Sequence, residues 1–276
     1  MKNEVDGEIQ ETDELIEESL TKLRQLIAGE KALSCPNERH FLLKFLRTRK
    51  YNVDATFANV QKYFKVREEV GEIFDDFCPS AVLYDAVCRK HQVALLSRER
   101  DPFGRAVLLV RTGRWNASVC TAHEFVKICL LLLEWSLLDE EVQKRGFVFV
   151  LDYKGLSLEH LYHLTPPFMK RLVHITEKCL PVRVKAIYVI YDSLIFDVLF
   201  AITKPFMSRT LTERIHLIGC EHQKLHGVVP ADVIPEEAGG TLESYDYDEL
   251  EKDLLSQSQY FEYIGLHGYG KENTEF

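Results

Sequence analysis

The chain has 276 residues, 46% of them hydrophobic and 28% charged, and a formal net charge of −9. That length admits one large domain or a small domain followed by a larger one. The hydrophobic fraction excludes wholesale disorder, and the acidic balance excludes broad attraction to nucleic acid, leaving only local basic patches to meet an anionic surface.

The N-terminal "MKNEVDGEIQETDELIEESL" lacks an apolar h-region, so no secretory signal is expected. Leu15, Leu20, Leu23 and Ile27 then fall at helical spacing, and Phe41, Leu42, Phe45 and Leu46, followed by Ala58, Tyr63 and Val66, continue the pattern. "YNVD" reads as a turn between two helices, and the whole as a small helical bundle over 12–85, with Pro79 near its end.

The period then changes. "HQVALLS" (91–97), "GRAVLLVR" (104–111), "GFVFVLD" (146–152), "VKAIYVIY" (184–191) and the weaker "RIHLIG" (214–219) read as strands. "RERDPFG" suits a hairpin between the first two. Thr121 to Glu124 forms a capping box opening the helix of Val126 to Lys144, and Thr165 with Pro166 opens "PFMKRLVHITEKC". Strands alternating with crossover helices imply an α/β domain over 86–245, with a parallel or mixed sheet. Residues 246–276 should begin as a helix, "YDELEKDLLSQSQYFEYI", and fray through "GLHGYGKENTEF", whose glycines and charges resist packing.

Catalytic signatures are scarce: no G-x-S-x-G, P-loop, G-x-G-x-x-G or H-E-x-x-H occurs. His160 and His163 beside Glu159 could start a metal site, but no third ligand stands at a diagnostic spacing. Asp152 ends a buried strand, where α/β enzymes keep catalytic groups, yet no nucleophile or base pairs with it. Hydrogen bonding to backbone near Lys154 and Gly155 accounts for it better. The expectation is therefore no enzyme, no metal and no cofactor. Seven scattered cysteines without C-x-x-C suit reduced thiols in a cytoplasmic protein.

Two features remain. Arg47, Arg49, Lys50, Arg183, Lys185, Lys204, Arg209 and Arg214 cluster along an acidic chain, either as separate surface charges or as a site for an anionic head group. In "VRVKAIYVI", alternation sends Arg183 and Lys185 to one face and Val182, Val184 and Ala186 to the other. Apolar bulk is also in surplus. "SLIFDVLFAITKPF" (193–206), read as a helix, gathers Ser193, Asp197 and Lys204 within roughly 40° and is apolar elsewhere, although a bilayer span takes about 20 apolar residues. Either the core is simply large, or it encloses a pocket for a long apolar ligand with this helix as its lid.

The ordered set "FLLKFLRTRKYNVDAT", "RERDPFGRAVLLVRTGRW", "GFVFVLDYKGLSLEHL", "LPVRVKAIYVI", "FDVLFAITKPFMSRTLTERI" and "IPEEAGG" resembles the CRAL-TRIO (Sec14-like) lipid-binding family, over about residues 12–264. Within it the likeness is to the tocopherol-transfer and retinaldehyde-binding branch. The resemblance implies an apolar cavity in the α/β domain, closed by residues 193–206 as a gate helix whose outer side docks on membranes. Carried over by motif, the lining comprises Val126, Cys129 and Leu133, then Phe147, Phe149 and Leu151, then Leu156, Leu164, Leu172, Ile175 and Leu180. Val182, Val184 and Ile187 follow, and the gate adds Ile195, Phe196, Leu199 and Phe200, of which Phe196 and Leu199 are also expected to dock.

The resemblance further implies a phosphoinositide site at Arg49, Arg183 and Arg214, with Lys185, Lys204 and Arg209 as additional candidates. Thr210 stands where the branch has a lysine. Cys129 and Leu133 replace hydroxyl side chains, and Leu156 replaces a bulky aromatic. Together these imply a monomeric carrier, peripheral on membranes, for tocopherol, a retinoid, a carotenoid or a similar isoprenoid. The alternative within the family is phosphatidylinositol binding and presentation.

Overall fold

The computed structural model describes residues 10–271. Helix α1 (Asp13–Gly29) is capped by Thr12, whose hydroxyl accepts from the Leu15 N–H. A two-residue strand β1 (Leu33–Ser34) leads into α2 (Arg39–Thr48), α3 (Val53–Glu69) and the short α4 (Gly71–Phe74). The expected turn is present: Lys50 and Tyr51 take positive φ angles of 50° and 59°, and Asn52 caps α3. One face of these helices is fully buried, with Leu20, Leu23, Leu42, Phe45, Tyr63 and Phe64 among its side chains. A π-helical stretch, Asp85–Lys90, leads from this bundle toward the sheet.

The sheet runs β2 (Ala94–Leu96), β3 (Ala106–Arg111), β4 (Phe147–Asp152), β5 (Val184–Ile190) and β6 (Ile215–Gly219), in that spatial order. β2 and β3 form the expected antiparallel hairpin; the other pairs are parallel. Each strand is displaced from the last in the same direction. Right-handed crossovers therefore all fall on one face. That face carries α5 (Ala122–Ser136) and α6 (Glu140–Arg145), then α7 (Leu158–His163) and α8 (Pro166–His174), then α9 (Leu194–Thr203) and α10 (Arg209–Thr212). The opposite face is covered by α11 (His222–His226) and the segment after it, through Leu225, Val229, Val233, Ile234 and Ala238.

Strand alternation sorts β4 cleanly. Phe147, Phe149 and Leu151 face the crossover helices, while Val148 and Val150 face the other way. β5 departs from the strict alternation expected of it. A register shift opposite Phe147/Val148 pairs Phe147 with Val184 and Val148 with Ala186. Ala186 thus lies on the back face and Ile187 on the helix face, so Val182, Val184 and Ala186 do not share a side.

The capping box is as expected: Thr121 Oγ1 accepts from the Glu124 N–H at 3.2 Å, and Glu124 accepts from the Thr121 N–H at 2.7 Å. The helix after Pro166 is shorter than expected. It gives way at Ile175 to a π-helical turn, Ile175–Cys179, whose widened bonding leaves the carbonyls of Lys178 and Cys179 to accept from the Asn59 side chain of α3. "IPEEAGG" has a steric reason: a Cβ on Gly240 would stand 1.8 Å from the Ile234 carbonyl oxygen.

After α12 (Tyr247–Leu255) and α13 (Ser258–Gly265) the part of the expected frayed segment up to Lys271 is ordered, and its remainder, 272–276, lies outside the described residues. His267 and Gly268 are buried, and β7 (Gly268–Tyr269) pairs antiparallel with β1. The glycines permit it, since Gly268 sits at φ 146° and Gly270 at 68°.

Candidate ligand cavity and gate

Every expected lining residue except Val184 belongs to one apolar cluster between the sheet and its crossover helices. Val126, Leu133, Phe147, Leu156, Leu164, Ile175, Leu180, Phe196 and Leu199 are buried. Cys129, Phe149, Leu151, Leu172, Val182, Ile187, Ile195 and Phe200 keep accessible surface within the same cluster. Phe149 and Leu151 lie mid-strand in β4, flanked by β3 and β5 and roofed by helices. Side chains so placed in a close-packed core would be wholly covered. Their residual surface shows that this wall between the sheet and its helices is not fully packed. Val184 stands apart because the register shift moves it to the end of the β4–β5 ladder.

Residues that motif matching passed over also belong to this cluster, among them Tyr153, Leu161, Phe168 and Ile202. Tyr153 could have been read from sequence, because it continues the Phe147, Phe149, Leu151 alternation by one more step. A separate open cleft of about 470 Å³ lies near the C-terminal end of α5, bordered by Leu96, Arg98, Trp135, Val142 and Tyr245. None of the expected lining residues touches it.

α9 packs over this cluster and has two faces. Ser193 caps it, accepting from the Phe196 N–H at 3.3 Å. Inward, Phe196 stacks on Phe200 at 5.7 Å and packs 4.8 Å from Tyr153, with Leu199 and Thr203 buried beside them. Outward, Leu194 is 84% exposed and Val198 49%. On α7, which packs against α9, Leu158 is 73% exposed and Tyr162 80%. Phe196 and Leu199 therefore line the interior and do not supply docking surface. The exposed apolar side chains here are Leu194, Val198, Leu158 and Tyr162.

The basic residues divide into groups. Arg183 donates to the Lys144 carbonyl and Arg214 to the Val184 carbonyl at 2.5 Å, placing both at the N-terminal edge of β4–β5–β6. Lys185 joins them, since a Cβ on Gly146 would lie 3.2 Å from its Cγ and 2.4 Å from the Arg183 carbonyl. Arg49 instead binds Asn59 at 3.0 Å and the Lys178 carbonyl at 3.4 Å. It thereby holds the π-turn whose Glu177 accepts from the Ser208 N–H at 3.0 Å, next to exposed Arg209. Arg209 pairs with Glu213, and exposed Lys204 lies 5.7 Å from the Phe200 ring.

The remaining candidates have structural roles. Asp152 accepts from the Lys154 N–H at 2.8 Å and lies 3.5 Å from Arg111 on the neighbouring strand. His160 Nδ1 accepts from the Ser157 N–H at 3.0 Å, which leaves Nε2 to donate to the Trp115 carbonyl at 2.9 Å. With both ring nitrogens engaged, His160 is not poised to ligate. No helix among the described residues is long and apolar enough to cross a membrane.

Residues 90–240 match the CRAL/TRIO domain. The alpha-tocopherol transfer protein-like protein of Homo sapiens is 32% identical over 255 residues, covering 92% of this chain and 74% of its own. Clavesin-1 of Xenopus laevis is 26% identical over 254 residues, covering 90% and 75%. In fold, the chain resembles the crystal structure of Sfh5, with a TM-score of 0.59 at 17% identity over 96% of this chain and 97% of that one. The chain belongs to the CRAL-TRIO, Sec14-like family of lipid-binding proteins.

Proposed function

We propose that the protein is a non-catalytic carrier that holds one isoprenoid-type lipid in a hollow beneath α9 and delivers it to phosphoinositide-bearing membranes. The observation that carries this reading is the two-sided gate. A helix whose inner aromatics close an apolar interior while Leu194 and Val198 stand in solvent suits a lid that swings against a bilayer. Leaving one Leu in water rather than lipid forgoes about 1.5–3 kcal/mol, so four such side chains suffice for transient docking. Arg183, Lys185 and Arg214 at one sheet edge suit phosphate, which guanidinium groups grip in bidentate fashion. The protein would act as a cytoplasmic monomer, peripheral on membranes.

Native mass spectrometry of the protein purified from its own tissue tests this directly. One apolar lipid per chain, released when Leu172→Asp places an unpaired charge in the cluster, is the expected result. A chain that carries no lipid, or a folded Leu172→Asp variant that binds normally, would refute it.

A further inference from the structure

Tyr153 brings a polar group into an otherwise hydrocarbon wall. It follows the last ladder residue of β4, and its backbone N–H still donates to the Ile190 carbonyl at 3.1 Å. Its ring enters the main apolar cluster and meets Phe196 of the gate at 4.8 Å. Buried phenols usually find a hydrogen-bond partner. Tyr245 does so at the Leu96 carbonyl, 2.8 Å away, and Tyr260 at Glu134, also at 2.8 Å. The Tyr153 hydroxyl has no such partner among the described residues, and burial alone raises its pKa to about 12. It therefore remains a protonated donor at neutral pH.

Two hydroxyls near it on the helix side are already engaged. Thr176 donates to the Leu172 carbonyl at 2.9 Å and Thr203 to the Leu199 carbonyl at 2.7 Å. The Cys129 thiol is a weak donor. The Tyr153 hydroxyl is thus a strong donor at this apolar cluster, on a ring packed against Phe196 of α9, with no acceptor among the described residues.

We propose that the Tyr153 hydroxyl donates to a single oxygen on the cargo, so that the protein selects an apolar lipid ending in a hydroxyl, carbonyl or ether oxygen over a hydrocarbon of the same skeleton. This rests on the carrier reading above and adds a ligand class and an orientation. The oxygenated end lies under the gate, against Phe196, and the hydrocarbon runs back along the Phe149–Ile187 side of the sheet.

The test is a pair of probes, phytol and phytane, an isoprenoid alcohol and a hydrocarbon of one skeleton. Each is titrated into wild type and Tyr153→Phe with tryptophan fluorescence as readout. Wild type should favour phytol by about three- to tenfold, the range of one net hydrogen bond. Tyr153→Phe should abolish the preference by weakening phytol alone, and should melt no lower than wild type, because no hydrogen bond within the protein is lost. Equal binding of both probes by wild type overturns the proposal. So does a preference that survives in Tyr153→Phe, or a variant that melts lower, since its hydroxyl would then serve the protein. Each of these leaves the carrier reading standing. Wild type that binds neither probe and carries no lipid when isolated defeats both.

Discussion

Lys44 and Glu134 form an ion pair sealed from water, with side-chain exposures of 1% and 3%. Glu134 also accepts from the Tyr260 hydroxyl at 2.8 Å, so one carboxylate joins α2, α5 and α13. The Lys44 ammonium lies 4.3 Å from the Phe41 ring centroid. Burial by itself would raise the Glu134 pKa, but the Lys44 charge and the hydrogen bonds hold it below the ordinary value. Replacing Lys44 by Met keeps the volume and removes that charge. A buried carboxylate left without its partner costs about 3–5 kcal/mol. At an m-value of about 3 kcal/mol per molar urea, the midpoint should fall by roughly 1–1.7 M.

Adding Glu134→Leu and Tyr260→Phe removes both the stranded anion and the phenol that would lose its acceptor, and should recover most of the loss. The pH dependence has a definite sign. In Lys44→Met the folded-state pKa of Glu134 is raised, so the penalty is present when the group must ionise and fades as acid protonates it. The gap from wild type should therefore narrow between about pH 7 and pH 5. Urea melts followed by circular dichroism at both pH values decide this. A loss under about 1 kcal/mol for Lys44→Met, or a triple variant weaker than the single, would refute the argument.

The remaining predictions concern transfer. Leu194→Ser with Val198→Ser should slow delivery to vesicles of any composition while ligand affinity holds, because only the outer face changes; an unchanged rate with a fluorescent ligand would count against docking by α9. Arg183→Ala with Arg214→Ala should slow delivery only to phosphoinositide-containing vesicles, and raising the salt should weaken the wild-type advantage, since screening acts on charges and spares apolar contact. Equal rates for wild type and this double variant would remove the head-group role.

Much of the sheet was legible because its signal is local. β3 and β4 are near-continuous apolar runs, and the Thr121–Glu124 box marks the start of α5 within four residues. What stayed hidden depends on contacts across the chain. The register shift in β5 arises where Val184 meets Phe147, and no periodicity within "VKAIYVI" announces it. The π-turn at Ile175–Cys179 meets Asn59 of α3, far off in sequence, which donates to its Lys178 and Cys179 carbonyls. α9 reads as apolar almost all round, so its pattern could not say that Phe196 turns inward and Leu194 outward; the tilt set by its neighbours decides that. Basic residues that look like one cluster in sequence fall at the β4–β6 edge and at the π-turn, because Arg49 comes from a separate helical layer.

The pairing of Leu33 with Tyr269 and Ser34 with Gly268 has a bearing on how the chain is made. Closing so long a loop brings an entropic cost before any contact rewards it. On the ribosome, at roughly 5–20 residues per second, β1 waits on the order of 12–47 seconds for its partner. During that interval α1 to α3 have emerged without the strand that fastens their far edge, and Leu33, later 4% exposed, has no cover from that side. The nascent protein thus carries an unfinished seam until Gly268 and Tyr269 arrive.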